Sequence, residues 1–349
     1  MSETPRRIDH PSAWTGAEIG GKEGLIHRMG ADHSTALREA LERTRGKAAD
    51  AVTRADFDHP LIDALMRAVR FDIMSGKGAV VLAGLDMAGV SEEDYGRVYY
   101  GLGLHLGEPA IQSPKRDRIG RVEKVEDNPD KRGYQLDVEL RSHTDFHEIL
   151  SLASYRKAAS GGESGVVSSL AVHNIMLDEA PEKLATLYEG WWHGYVEKEH
   201  LTTEKVPVFC DVQGNVSCYY HALSFMAAAR ARGEEMPDSL RQAMACFSAI
   251  AQRPEVRADF MLEPGEMLFW HNFMMLHSRR SFTDEGDHKR LLLRLWLHVP
   301  DDGRPMHPEF IARARLMDEI HERGITALQY RPFVSPEGAA PSTRLATAE

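Results

Sequence analysis

The decapeptide Lys289-Arg290-Leu291-Leu292-Leu293-Arg294-Leu295-Trp296-Leu297-His298 tolerates few structural surroundings. In a β-strand successive side chains point to opposite faces, so Arg290, Leu292, Arg294, Trp296 and His298 share one side and Leu291, Leu293, Leu295 and Leu297 the other. The leucine row needs an apolar layer. The arginines point into whatever lies opposite it, and inward guanidinium groups are costly to bury unless each has a partner, small-molecule or protein. The same period of two puts His143 and Asp145 on one face of an earlier strand, with Thr144 turned away.

Two imidazoles and one carboxylate on one side of a metal, with the remaining positions open, are the ligand set of non-haem Fe(II) oxygenases. His143 and Asp145 supply two such donors, and His277, which follows the apolar run Met267-Leu268-Phe269-Trp270, is the choice for the third. With 17 histidines in the chain, an H-x-D triplet alone proves little. Asp145-Phe146-His147 offers an alternative register, and His271 competes with His277. An iron site of this type also needs an electron-donating cosubstrate. A 2-oxo acid chelating the metal leaves a second carboxylate extended away, which a guanidinium can grip with two parallel hydrogen bonds. Arg290 is the expected grip. Arg294 lies about 13 Å further along the same face at ~3.3 Å per residue, so it more naturally meets an anionic group of the primary substrate, or else pairs with a buried acid.

The chain has 349 residues, 42% of them apolar and 27% charged, which is an ordinary globular composition. A net charge of −11 argues against a nucleic-acid partner, whose phosphates need concentrated Lys and Arg. Three cysteines without a C-x-x-C pair fit a reducing compartment. No long apolar run suits a membrane span, and no apolar stretch follows Arg6 and Arg7 as a secretion signal requires, so a cytoplasmic protein is expected.

Residues 1–30, Gly-rich and anchored by Trp14, read as a loose N-terminal arm. Ala36 to Arg45 and Leu61 to Ile73 read as helices, Ala79 to Ala83 as a buried strand, and Ser91 with Asp94 as a helix start. Ile119 to Val172 is mostly extended, and Asp178 to Glu189 is helical. A hairpin turns at Gln213-Gly214-Asn215. Two Ala/Met-rich helices follow, from Ala222 to Ala231 and from Ser239 to Ala251, before strands return at Glu266 to Trp270 and Arg290 to Val299. A last helix, Pro308 to Arg323, stops at Gly324, and 335–349 reads as a flexible tail. The expected organisation is one domain over 31–334 with a helical insert at about 222–251. The insert offers a face for a homo-oligomer, although an Ala/Met stripe more often lines a core.

Four features in order, His143-Thr144-Asp145, Gly161-Gly162-Glu163-Ser164, Asn272 through Leu276-His277-Ser278-Arg279, and Lys289 through Trp296, resemble the taurine dioxygenase and clavaminate synthase-like superfamily of Fe(II)/2-oxoglutarate oxygenases. The resemblance spans roughly 78–299. It implies an α+β fold with a mainly β core, a double-stranded β-helix or jelly roll with flanking helices. It also implies that His143, Asp145 and His277 bind Fe(II), that Arg290 binds the distal carboxylate of 2-oxoglutarate, and that Ser164 stands where the family often has a Thr on the same group. Arg294 falls where several members contact substrate. Members that transfer halogen leave the carboxylate position open, and Asp145 fills it here, so hydroxylation with O2 and decarboxylation of 2-oxoglutarate to succinate is the expected reaction.

A cupin-like metal hydrolase or isomerase is the rival reading, and Glu148 is its nearest general base. A small anionic substrate, an amino acid or organic acid, is expected. Arg118 to Leu140 and Trp191 to Val208 are the candidate capping segments, with Tyr134, Trp191, Trp192, Tyr195, Glu197 and Lys198 among their residues.

Overall fold

A computed structural model describes residues 5–113, 115–125, 133–194, 201–299 and 303–323. Gly324, the segment 335–349 and the capping residues Tyr195, Glu197 and Lys198 lie outside them. The chain begins with α1 (Gly16–Ile19), β1 (Ile26–Arg28), α2 (Ala31–Arg43), α3 (Pro60–Met74), β2 (Ala79–Ala83) and α4 (Glu92–Gly103). Strands β3 (Glu108–Pro109), β4 (Gly120–Val122), β5 (Leu140–His143), β6 (Ile149–Arg156), β7 (Ser160–Gly161) and β8 (Ser164–Ser168) follow. Helices α5 (Ser169–Glu179) and α6 (Pro181–Glu189), the hairpin β9 (Phe209–Val212) and β10 (Asn215–Cys218), and helices α7 (Ala222–Arg232) and α8 (Asp238–Ala251) separate these from β11 (Ala258–Phe260). The chain continues through β12 (Met267–His271), β13 (Met275–Arg279), β14 (Phe282–Thr283), β15 (Leu291–His298) and α9 (Pro308–Glu322).

Two sheets carry the architecture. The larger has the order β1-β2-β12-β6-β15-β3, with β4 also on β15, and the smaller runs β11-β8-β13-β5. Leu291, Leu293, Leu295 and Leu297 are buried in one apolar cluster with α2, α3 and α4, while Leu292 and Trp296 belong to another that reaches across to the smaller sheet. The alternation in the sequence thus becomes two layers, and burying each outer leucine contributes ~2 kcal/mol. Opposite β15, β6 carries an extra residue: Leu291 faces Arg156 and Leu292 faces Ser154, so Tyr155 is accommodated without disturbing the alternation on β15.

Helix α3 starts with Pro60 at its first position and buries Ile62, Met66, Val69 and Ile73 along one face. The turn between β9 and β10 holds Gln213 and Gly214 at φ 55° and 80°, the geometry of a two-residue hairpin. Helix α8 spends its apolar stripe, Leu240, Ala243, Met244, Phe247 and Ile250, on the core, which occupies the face considered above for a second copy.

Two local expectations are corrected. The stretch from residue 5 to 30 is stitched down: β1 pairs parallel with β2, Trp14 Nε1 donates to Lys77 O (2.7 Å), Ser12 Oγ donates to Gly76 O (2.7 Å), and Ile8 exchanges two hydrogen bonds with Asn174. A three-residue strand leaves no periodic signal, which is why the segment reads as loose. The extended run also ends early, because Ser168 caps α5 by accepting from Ala171 N. Ser169 through His173 are all buried, so the helix shows no contrast between faces.

Within α5, buried His173 lies against the Tyr188 and Phe209 rings, its Nε2 2.8 Å from Tyr188 Oη. Burial pushes its pKa down to about 4. Between pH 6.5 and 4 the unfolded chain therefore takes up this proton more readily than the folded one. The contribution is fully present above pH 6.5 and is lost as pH falls towards 4, amounting to at most roughly 3 kcal/mol. His173→Gln is expected to flatten the fall in urea-unfolding stability between pH 7 and pH 4.5, and an unchanged slope contradicts this assignment.

Candidate active site

His277 sits in β13 directly opposite His143 at the end of β5, the two Cα atoms paired in antiparallel register. Asp145 follows in the turn after β5. His143 Nε2 stands 3.9 Å from Asp145 Oδ1 and His277 Nε2 stands 3.8 Å from Asp145 Oδ2, and the imidazole centroids are 4.2 Å apart. One donor atom from each of the three lies within 4.8 Å of the others, a spacing that accommodates a metal ion. Asp145 and His277 each keep 15% of their side-chain surface accessible.

The surrounding bonds fix these donors. His143 Nδ1–H donates to Arg141 O (2.7 Å), which turns Nε2 towards Asp145. Asp145 N–H donates to Asn272 Oδ1 and Asn272 Nδ2 donates back to Asp145 O, both at 3.0 Å. Trp296 Nε1–H donates to Asp145 Oδ2 at 3.2 Å. Thr144 turns the other way and exchanges two hydrogen bonds with Tyr220. Burial pushes the His277 pKa down to about 3, so its ring is neutral at pH 7. Burial opposes the charge on Asp145, but His277 and His143 outweigh it and hold the carboxyl below its ordinary value. A carboxylate set between two imidazole nitrogens is a donor set that suits a divalent ion.

The rival residues are elsewhere engaged. His147 Nε2 lies 3.0 Å from Asp318 Oδ1, and His298 Nε2 lies 2.7 Å from Asp318 Oδ2. These three form a second group with metal-compatible spacing. His271 Nε2 lies 3.2 Å from Glu148 Oε1, an oxygen that also accepts from Arg304 N.

Arg290 is 2% exposed, and its Nη1 is buried without a hydrogen-bond partner. Asp284 Oδ1 takes its backbone N–H instead of its guanidinium. Burial, reinforced by the nearby Arg279, pushes the Arg290 pKa down to about 9. A cation in this position calls for a bound anion. Gly162 makes room for it: φ is +83°, and a Cβ there would approach Arg290 Nε to 3.2 Å. Ser164, two residues on, is buried in β8 opposite Arg279. Arg279 itself donates to the carbonyls of Leu136 (2.6 Å) and Val138 (2.7 Å), which ties down the described part of one capping segment.

Arg294 meets no carboxylate at ion-pair distance among the described residues. Its Nε donates to Gln112 Oε1 (2.8 Å), and its guanidinium carbon lies 4.6 Å from the Tyr134 ring and 4.3 Å from that of Trp296. His221, at the start of α7, stands 6.1 Å from the His143 ring and 5.9 Å from Phe146. Nothing in the local sequence marks Gln112 or His221 as neighbours of this site.

The family model "Taurine catabolism dioxygenase TauD, TfdA family" matches residues 38–296, which include all of these donors and both arginines. The chain belongs to the TauD/TfdA family. TauD/TfdA members are non-haem iron, 2-oxoglutarate-dependent dioxygenases, and this one is such an enzyme, with Fe(II), 2-oxoglutarate and O2 as its cofactor set. Among its relatives, "FR-33289 synthase" of Streptomyces rubellomurinus is 32% identical over 241 residues, which are 66% of this chain and 71% of that protein. "Taurine hydroxylase-like protein SAT17" of Stachybotrys chartarum is 23% identical over 310 residues, 83% of this chain and 79% of that protein. The fold is shared with asparagine oxygenase in complex with Fe(II), 2S,3S-3-hydroxyasparagine and succinate (TM-score 0.64, 15% identity, 80% of this chain and 98% of that one). It is shared as well with the non-haem iron oxygenase OrfP in complex with Fe and alpha-ketoglutaric acid (TM-score 0.59, 14% identity, 78% and 94%). Among the described residues no helix of this TauD/TfdA protein is long and apolar enough to cross a membrane.

Proposed function

We propose that this dioxygenase hydroxylates a C–H bond of a small anionic or amino-acid-like molecule, with His143, Asp145 and His277 holding Fe(II) and Arg290 gripping the distal carboxylate of 2-oxoglutarate. The observation that carries the reading is the pairing of the three convergent donors with a buried arginine whose Nη1 lacks a partner. Ser164 adds a hydroxyl for the same carboxylate. The two-sheet architecture is read as a double-stranded β-helix, in one domain over 31–334 with 222–251 inserted.

Bound iron with 2-oxoglutarate and O2 supplies the oxidising power. Overall, substrate, 2-oxoglutarate and O2 give hydroxylated substrate, succinate and CO2. The protein's share is placement. Asn272 and Trp296 hold Asp145, Arg141 O orients the His143 ring, and Leu292 and Trp296 belong to the apolar cluster on that face of β15.

Arg294 is assigned to an anionic group of the substrate, because Gln112, Tyr134 and Trp296 support the guanidinium without neutralising it. The amino-acid class is supported by two relatives in fold, one in complex with hydroxyasparagine and the other with (3S)-hydroxy-L-Arg. A carboxylate, sulfonate or phosphate group satisfies the same cation. "Uridine-5'-phosphate dioxygenase" of a Streptomyces species, 39% identical over 67 residues, carries such a group in its name.

Screening amino acids, organic acids and phosphate esters for stimulated succinate formation tests the substrate class. With the best compound, Arg294→Gln is expected to lower kcat/KM by about a hundredfold, the scale of a lost charge-assisted contact. Stimulation by neutral compounds alone contradicts the assignment of Arg294.

A further inference from the structure

We propose that Asp318 and His147, acting through the indole of Trp296, are positioning residues for the carboxylate of Asp145. This inference rests on the reading above that Asp145 is a metal ligand.

A carboxylate bound to a metal through one oxygen is oriented by what holds its remaining lone pairs, and here the N–H of Trp296 reaches Asp145 Oδ2. The aim of that N–H depends on how the indole plane is held. Two imidazoles lie nearly parallel to it: His147, at 5.1 Å and 21°, and His321, at 6.2 Å and 20°. His147 is in turn fixed by Asp318, whose other oxygen holds His298. His321 Nδ1–H donates to Ile111 O (2.9 Å). Asp318 and His321 are three residues apart on α9 and so lie on one face of that helix.

Helix α9 has apolar attachments besides this arrangement. Phe310, Met317 and Ile320 are already buried beneath it. Fully buried His147 leaves its Nδ1 without a partner, an unfavourable arrangement. An apolar residue would avoid that cost if fastening the helix were the whole role. The family match ends at Trp296, so His298, Asp318 and His321 lie beyond it. The ligand lies within the matched region, and its support comes from α9, outside that match.

The test is anaerobic equilibrium dialysis of the full-length apoprotein against Fe(II), with the thermal midpoint measured in parallel. Asp318→Asn is expected to weaken Fe(II) binding about tenfold or more, the usual scale for a residue behind a ligand. Trp296→Phe, which keeps an aromatic ring but has no N–H, is expected to weaken it similarly. Met317→Ala is the control for loosening of α9: it is expected to lower the thermal midpoint at least as far, with Kd within about twofold of wild type. An unchanged Kd in Asp318→Asn overturns the proposal, and so does an equal loss in Met317→Ala. Should Asp318→Asn fail to fold, an unchanged Kd in Trp296→Phe overturns it alone. A second tightly held ion in wild type that Asp318→Asn loses also overturns it, since the His147, His298 and Asp318 group would then be a metal site. Wild type that binds no Fe(II) refutes the function proposed above rather than this support.

Discussion

Arg290→Met is expected to raise the KM for 2-oxoglutarate by about a hundredfold to several thousandfold, because breaking a desolvated charge pair costs roughly 3–5 kcal/mol and each 1.4 kcal/mol is tenfold. Methionine keeps most of the side-chain volume, so the change isolates the charge. The same substitution removes a cation that the apoprotein buries with an unpartnered Nη1 and beside Arg279. The thermal midpoint of the apoprotein is therefore expected to hold or rise while cosubstrate binding collapses. Arg290→Lys should recover only part of the affinity, since an ammonium lacks the planar fork that matches a carboxylate. A KM within twofold of wild type in Arg290→Met would mean that the distal carboxylate binds elsewhere.

Asp145→Ala is expected to weaken Fe(II) binding by more than about a hundredfold and to abolish substrate-stimulated succinate formation. Changing a residue behind a metal ligand typically costs 10–100-fold, so about a hundredfold is a lower bound for removing a ligand itself. The remaining donors are two imidazoles, and the site loses its one carboxylate ligand. Equilibrium dialysis reads the affinity directly, and retention of wild-type affinity refutes Asp145 as a ligand.

The sequence made the chemistry of the site legible before its geometry. The decapeptide from Lys289 to His298 announces its two faces because leucines alternate with larger or charged residues, and the structure sends those faces to separate apolar clusters. The spacing of His143 and Asp145 puts them on one strand face, although the triplet alone does not mark them as ligands. The partnership of His277 with His143 is not legible, because β13 is five residues long and opens with Met275 and Leu276, which give no alternation to read. Its place after the apolar run Met267 to Trp270 and shortly before Arg290, not periodicity, favours His277 over His271.

Long-range contacts account for most of what was missed. Gln112 and Arg294 are 182 residues apart in the chain, and Asp318 and His147 are 171 apart. No local pattern encodes such meetings, since a surface-looking aspartate on a helix has the same sequence signature whether it faces water or a buried imidazole. The parallel edge strand β1 and the uniformly buried start of α5 escaped for the complementary reason that periodicity needs length and contrast.

The measurement that bears most directly on the central claim is an anaerobic titration of the apoprotein with Fe(II) in the presence of 2-oxoglutarate, followed by visible absorption. The account predicts a weak charge-transfer band that saturates at one Fe(II) per chain and is absent from Asp145→Ala and from His277→Ala. Iron bound at one equivalent without that band, or a band that survives both substitutions, would contradict it.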